Sequence, residues 1–116
     1  MRGKYEADSS ESATLRDVLF DAANETRTIV AAAAFRALAD MSAFDPHVDA
    51  KRLDSRLASC VADSSASPAV RVMAAQLCGE RRITSARASL ATIAADRAQP
   101  EPLRLAAANS TKLLAR

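Results

Sequence analysis

Few side chains in this chain could carry a reaction. His47 is the single histidine, and a histidine base works only with a nucleophile and an orienting carboxylate in hydrogen-bond reach. It stands directly after Asp45-Pro46, where an acidic cap and a proline mark the start of a helix. A surface residue in a first helical turn is therefore expected, rather than a catalytic base. Asp45 and Asp49, spaced i and i+4, could share a face as paired carboxylates, but acids in a first turn are already favoured by the helix dipole. Cys60 and Cys78 are the two cysteines, and with one histidine they fall short of a four-ligand metal site. Both occupy apolar helical positions, which predicts buried, reduced thiols packed as small hydrophobes. These residues point to no catalytic set, no metal and no cofactor, so an enzyme is not expected.

The elements that hold them repeat. Leu15, Val18, Leu19 and Asp21 are followed by Arg27, Val30 and Ala31; Leu57, Cys60, Val61 and Asp63 by Arg71, Ala74 and Ala75; and Leu90, Ile93, Ala94 and Asp96 by Arg104, Ala107 and Ala108. Each unit reads as an apolar helix, a polar link and a second helix, and such repetition signals stacked helix pairs. Six helices in three antiparallel pairs are expected, over about 12–44, 45–82 and 83–116, behind a flexible polar tail over 1–11. Leu15, Val18, Leu19 and Ala22 fall at i, i+3, i+4 and i+7, the spacing of a buried stripe. Asn24 is placed to cap a long second helix over 25–41. Asp45-Pro46 and Ser67-Pro68 open the third and fourth helices, Gly79 is placed to end the fourth in a left-handed conformation, Thr84 or Ser85 starts the fifth, and the sixth runs from about Leu103.

Composition agrees with that plan. A chain of 116 residues is one domain's worth; 49% are hydrophobic but only 3% aromatic, and glycine occurs twice. The expected class is all-α, an α-solenoid whose interior is filled by alanine and leucine. Its first end would be shielded by a charged helix and the tail. Its last helix shows Leu103, Ala107, Leu113 and Leu114 with little polar cover, which predicts an open end there. The opening residues hold no apolar run for a signal peptide and no segment approaches a membrane span, so a cytoplasmic address and no membrane are expected.

Asp63 with Ser67-Pro68-Ala69-Val70-Arg71, Ala74-Ala75, Leu77 and Gly79, and Asp96 with Pro102-Leu103-Arg104 and Ala107-Ala108, resemble the HEAT repeats, in particular the short bacterial form also seen in phycobilisome-lyase-like proteins. The resemblance covers about residues 12–116. It implies that Asp21, Asp63 and Asp96 with Arg27, Arg71 and Arg104 form a structural ladder between neighbouring repeats. It also implies that the second helix of each pair lines a concave surface. Positions one, five and eight residues after each ladder arginine lie opposite the core stripe at about 100° per residue. They are Thr28, Ala32 and Phe35; Val72, Gln76 and Gly79; and Leu105, Asn109 and Lys112. Of these, Thr28, Phe35, Val72, Gln76, Leu105, Asn109 and Lys112 are the candidate partner-binding residues, and Phe35, Val72 and Leu105 are apolar where a solvated face would be polar.

The enzymes of similar architecture leave no trace: the di-iron hydroxylases need His-Glu pairs, and the alkylpurine glycosylases need tryptophan. The reading is a non-catalytic module that binds a protein partner or a second copy of itself through the concave face. A regulatory or chaperone-like subunit is a further possibility by analogy with the lyase-like relatives. The rival is a nucleic-acid-binding module. Residues 1–63 carry eight Lys/Arg against eleven Asp/Glu, and residues 64–116 carry eight against three, so Arg71, Arg81, Arg82, Arg87, Arg97 and Arg104 fall in a basic half. Two of the six are ladder residues and no aromatic stacking partners accompany the rest, so only weak, salt-sensitive nucleic-acid binding is expected.

Overall fold

In the computed structural model, which describes residues 9–116, the chain folds as six α-helices. They are α1 (Ser10–Asn24), α2 (Val30–Ser42), α3 (Ala50–Ala62), α4 (Pro68–Glu80), α5 (Arg87–Ala95) and α6 (Glu101–Leu114), with a 3₁₀ turn, Thr84–Ala86, leading into α5. No strand occurs among the described residues. Of the tail expected over 1–11, residues 1–8 lie outside the described residues, and Ser9 already caps α1 by accepting from the Ser12 amide at 3.0 Å.

Consecutive helices pair: α1 with α2, α3 with α4, and α5 with α6. The second helices form a continuous row in which α4 packs against α2 on one side and most extensively against α6 on the other; the first helices touch one another far less. One apolar cluster runs through the whole stack, and Phe35, Leu38, Leu53, Leu57, Leu77, Leu90 and Leu103 are its largest fully buried side chains. At about 1.5–3 kcal/mol for each such side chain removed from water, this shared interior holds the pairs together. The thinnest extent, 17 Å, is that of two helix layers packed at about 8–10 Å.

Of the two starts read from a cap followed by proline, Ser67-Pro68 falls as expected, with Pro68 in the first turn of α4, and Asp45-Pro46 does not. The last helix begins at Glu101, so Pro102, expected in the link, stands in its first turn. The other cap-marked start also shifts. Asn24 is the last residue of α1, residues 25–29 form turns, and α2 begins only at Val30. Asp45 spends its carboxylate on the His47 amide at 2.9 Å, an Asx turn, and α3 begins later, where Asp49 accepts from the Arg52 amide at 3.0 Å. Gly79 lies within α4. The left-handed residue is Arg82, with φ 55. The Arg82 amide donates to the Gly79 carbonyl at 3.2 Å and the Ile83 amide to the Cys78 carbonyl at 2.9 Å, the two bonds of a Schellman stop, with Ile83 buried behind them.

The first helix is turned by one residue from the expected stripe. Leu15 and Val18 are 49% and 56% exposed, and Arg16, Phe20 and Ala23 are buried instead. A phenylalanine buries more area than either aliphatic residue. Phe20 also lies under the Arg52 guanidinium, 4.1 Å from the ring centre, and Arg16 reaches Asp45 at 3.3 Å. The last helix does not show the apolar side chains expected of it: Leu103, Ala107 and Leu114 are buried and Leu113 is half-buried, whereas Leu15, Val18, Ile29 and Val30 of the first pair are exposed.

Candidate functional site

The α4 and α6 helices approach closely because of one small pair. A Cβ on Gly79 would stand 2.8 Å from the Ser110 Cα, so only glycine admits α6 at this distance. Ser110 is buried and its hydroxyl donates across the gap to the Ala75 carbonyl. Ser110, which stands six residues after Arg104 where the second unit has Leu77 six after Arg71, thus joins the third helix pair to the second.

Beside this contact the two helices diverge enough to leave a groove of about 340 Å³. Val72, Gln76 and Glu80, spaced i, i+4 and i+8, line it from α4, and Pro102, Leu105, Asn109 and Leu113 from α6. Leu105 is 57% exposed, while Val72 is half-buried against the core. Carboxamides stand on both walls, Gln76 on one and Asn109 on the other. Arg36 of α2 donates to both Glu80 carboxylate oxygens, at 3.3 and 3.4 Å, and to Asp40 at 3.0 Å. Hydrogen bonding by Asp40 first, and the Glu80 charge after it, hold the Arg36 guanidinium more firmly in its charged form. The groove therefore offers an apolar floor, two neutral hydrogen-bonding amides and a carboxylate already neutralised at its edge.

Four of the expected concave-face residues, Val72, Gln76, Leu105 and Asn109, are brought together here. Phe35 is not among them: it is 1% exposed and sits in the core, because a position eight residues after the arginine falls only about 40° from the buried position four residues after it. Gly79, counted to the same row, is buried under Ser110. Thr28 lies in the turn before α2, its hydroxyl donating to the Glu25 carbonyl at 2.9 Å, and Lys112 is exposed outside the groove lining. Glu80 and Leu113 were not anticipated, although each stands one further i+4 step beyond Gln76 and Asn109.

The polar links are staggered. The only ion pairs among the described residues are Arg16–Asp45, Arg36–Asp40, Arg36–Glu80 and Arg81–Asp54, so no ladder arginine is salt-bridged to a ladder aspartate. Arg71 donates from Nε and Nη2 to the Val61 carbonyl, at 3.2 and 2.7 Å, and from Nη1 to Gln99 at 3.4 Å. Gln99 in turn donates to Asp96 at 3.2 Å. Asp63 accepts from the Ser65 amide and hydroxyl, which hold its carboxyl below the usual range; the charges of Arg71 and, from the preceding repeat, Arg27 add to this. The Ser67 amide also donates to the Thr26 carbonyl at 2.8 Å, tying the first link to the second. The Asp21 carboxylate enters no hydrogen bond among the described residues.

The two cysteines are buried, and burial pushes the Cys60 thiol up to about 11 and the Cys78 thiol up to about 12. Both stay protonated near neutral pH and make poor nucleophiles. Among the described residues no three His, Cys, Asp or Glu side chains gather to hold a metal, and no helix is long and apolar enough to cross a membrane. No family model, curated protein or solved structure matches the chain.

Proposed function

We propose that this chain is a non-catalytic helical-repeat module of the HEAT type that binds a protein partner in the groove between α4 and α6. The observation that carries the reading is the open groove itself: equivalent positions of two repeats, Val72 with Leu105 and Gln76 with Asn109, line one cleft, and one of its two leucines, Leu105, is solvent-exposed. An amphipathic helix supplies what such a surface takes, an apolar stripe for the floor and polar flanks for the two carboxamides. Nucleic acid ranks lower because four arginines of the basic half spend donors internally. Arg81 reaches Asp54 and Ser42, Arg82 and Arg87 reach the Leu113 and Leu114 carbonyls, and Arg71 reaches Val61.

The test is capture from native lysate with wild-type, Leu105→Asp and Gln76→Ala/Asn109→Ala chains as bait. All three should keep the same helical circular dichroism, since these side chains are exposed, and both variants should lose the proteins that the wild type retains. Retention of the same proteins by folded Leu105→Asp would refute the groove.

A further inference from the structure

One end of the α4–α6 groove is bordered by cations that meet no acid. Lys112 follows Leu105 and Asn109 on α6 at i+7 and i+3, so at about 100° per residue it stands on the outer wall, one step past the groove lining. Arg82 and Arg87 reach the same end of α6 from the loop after α4 and from the start of α5. Arg82 donates from Nη1 to the Leu113 carbonyl at 3.1 Å, and Arg87 from Nη2 to the Leu114 carbonyl at 2.9 Å. Consecutive carbonyls thus hold two guanidiniums side by side, and Leu113 is itself part of the groove. All three cations are exposed. None is salt-bridged, because the ion pairs among the described residues use Arg16, Arg36 and Arg81 instead.

Charge does not balance at this end. A helix C-terminus offers about half a negative charge, against three positive ones. Glu80, the acid in the lining, already accepts from Arg36 on both oxygens. The turn itself does not need an arginine at position 82: its φ of 55 is a conformation that glycine takes freely. A guanidinium carries five N–H donors, so the bonds to α6 leave both arginines with donors for a ligand. Toward the opposite end, the same face of α6 carries Glu101, one turn before Leu105. The groove therefore has a direction, an apolar floor between one acid and three cations.

We infer that the helix held in this groove has an acidic end, its carboxylates meeting Arg82, Arg87 and Lys112 while its apolar stripe covers Val72, Leu105 and Leu113. This rests on the groove reading above and adds to it the charge and the placement of the occupant. From Leu105 to Leu113 α6 rises about 12 Å, which about two turns of a partner helix span, so acids in the next turn of the partner reach the cations. A nucleic-acid strand would meet the same charges but leave the leucines uncovered.

Fluorescence anisotropy with synthetic helical peptides tests it. One peptide carries leucines at i, i+4 and i+7 and glutamates in the turn before them; a second has glutamines in place of the glutamates, and a third keeps the glutamates but has serines in place of the leucines. At about 0.1 M salt the wild-type chain should bind the first about tenfold more tightly than the second. The advantage should shrink at about 1 M, as the Debye length falls from about 10 Å to about 3 Å. Arg87→Gln/Lys112→Gln should bind the glutamine peptide as the wild type does and lose the preference for the glutamate one; each peptide is compared with itself, so differences in peptide helicity cancel. Lys112→Gln alone, at an exposed position, should lose part of the preference, and circular dichroism checks that each chain is folded. Leu105→Asp should bind neither leucine peptide.

The arms separate the two readings. Equal affinity for the glutamate and glutamine peptides, both lost in Leu105→Asp, would keep the groove and overturn the acidic end, as would a preference that survives Arg87→Gln/Lys112→Gln. No binding of either leucine peptide to the wild type would overturn groove and acidic end together. A serine peptide that binds as tightly as its leucine counterpart, or full displacement of the glutamate peptide by a mixed-sequence single-stranded DNA of about 20 nucleotides, would show a site for polyanions and overturn the inference.

Discussion

The carbonyl oxygen of Val61, near the end of α3, is one that its own helix leaves open. The amide that would close the next turn, that of Ser65, donates to Asp63 instead, and a buried acceptor left in this way costs free energy. Arg71 supplies the missing donors twice over. Arg71→Ala should therefore cost about 2 kcal/mol, the range of a charge-assisted hydrogen bond lost from a buried acceptor. Arg97→Ala, at an exposed position, should stay within about 0.5 kcal/mol. Arg71→Lys should recover only part of the loss, because one ammonium cannot reproduce the fork that reaches Val61 and Gln99 together. Urea denaturation of the three variants measures this, and an Arg71→Ala chain as stable as Arg97→Ala would remove Arg71 from the structural set. The arginine was legible from its place in the repeat. Its acceptor was not, because a backbone carbonyl has no residue type to read.

At the level of the element, proline was a helix-start signal that held once and failed once. Its fixed φ suits a first turn, and Pro68 opens α4, but Pro46 lies in the turn before α3, and Pro102, expected in the link, stands in the first turn of α6. Asn24 and Asp45 offered caps, but an acceptor side chain serves a turn as readily as a helix, and Asp45 took the turn. The concave row was legible at the first two counted positions of the second and third repeats, whereas the third position falls beside the core stripe, so Phe35 and Gly79 are both buried. Gly79 was read as a helix end because glycine is common there, whereas its use is to let Ser110 approach. Gly79→Ala decides between these uses. At a bare helix position alanine would gain about 1 kcal/mol. Here its Cβ would fall 2.4 Å from the Ser110 Oγ and 2.8 Å from the Ser110 Cα, and overpacking of this kind costs about 1–3 kcal/mol. A net loss of about 1 kcal/mol is expected by thermal or chemical denaturation. Ser110→Ala should not rescue it, since the backbone clash remains. A Gly79→Ala chain more stable than wild type would mean that α4 and α6 do not approach as described.

Across the whole molecule, stability should follow the order of packing. The α4 helix lies between α2 and α6 and also packs on α3, and seven of its residues, Val70, Arg71, Ala74, Ala75, Leu77, Cys78 and Gly79, are buried. At the edge, α1 packs mainly on α2 and buries only Arg16, Phe20 and Ala23. In a stack whose units contact only their neighbours, the terminal unit can open without breaking the central interfaces, so local opening should cost less at α1 than at α4. Native-state hydrogen exchange reads this amide by amide. The amides of Ala74, Ala75 and Cys78 should exchange only through global unfolding. Those of α1 should exchange about tenfold faster or more, through an opening that exposes little surface and so depends weakly on denaturant. Leu105→Asp, which changes an exposed groove residue, should leave both rates unchanged, while Gly79→Ala should speed exchange in α4 and α6 together. Equal protection of α1 and α4, with equal denaturant dependence, would show that the three pairs unfold as one unit; the hierarchy drawn from their packing would then be wrong.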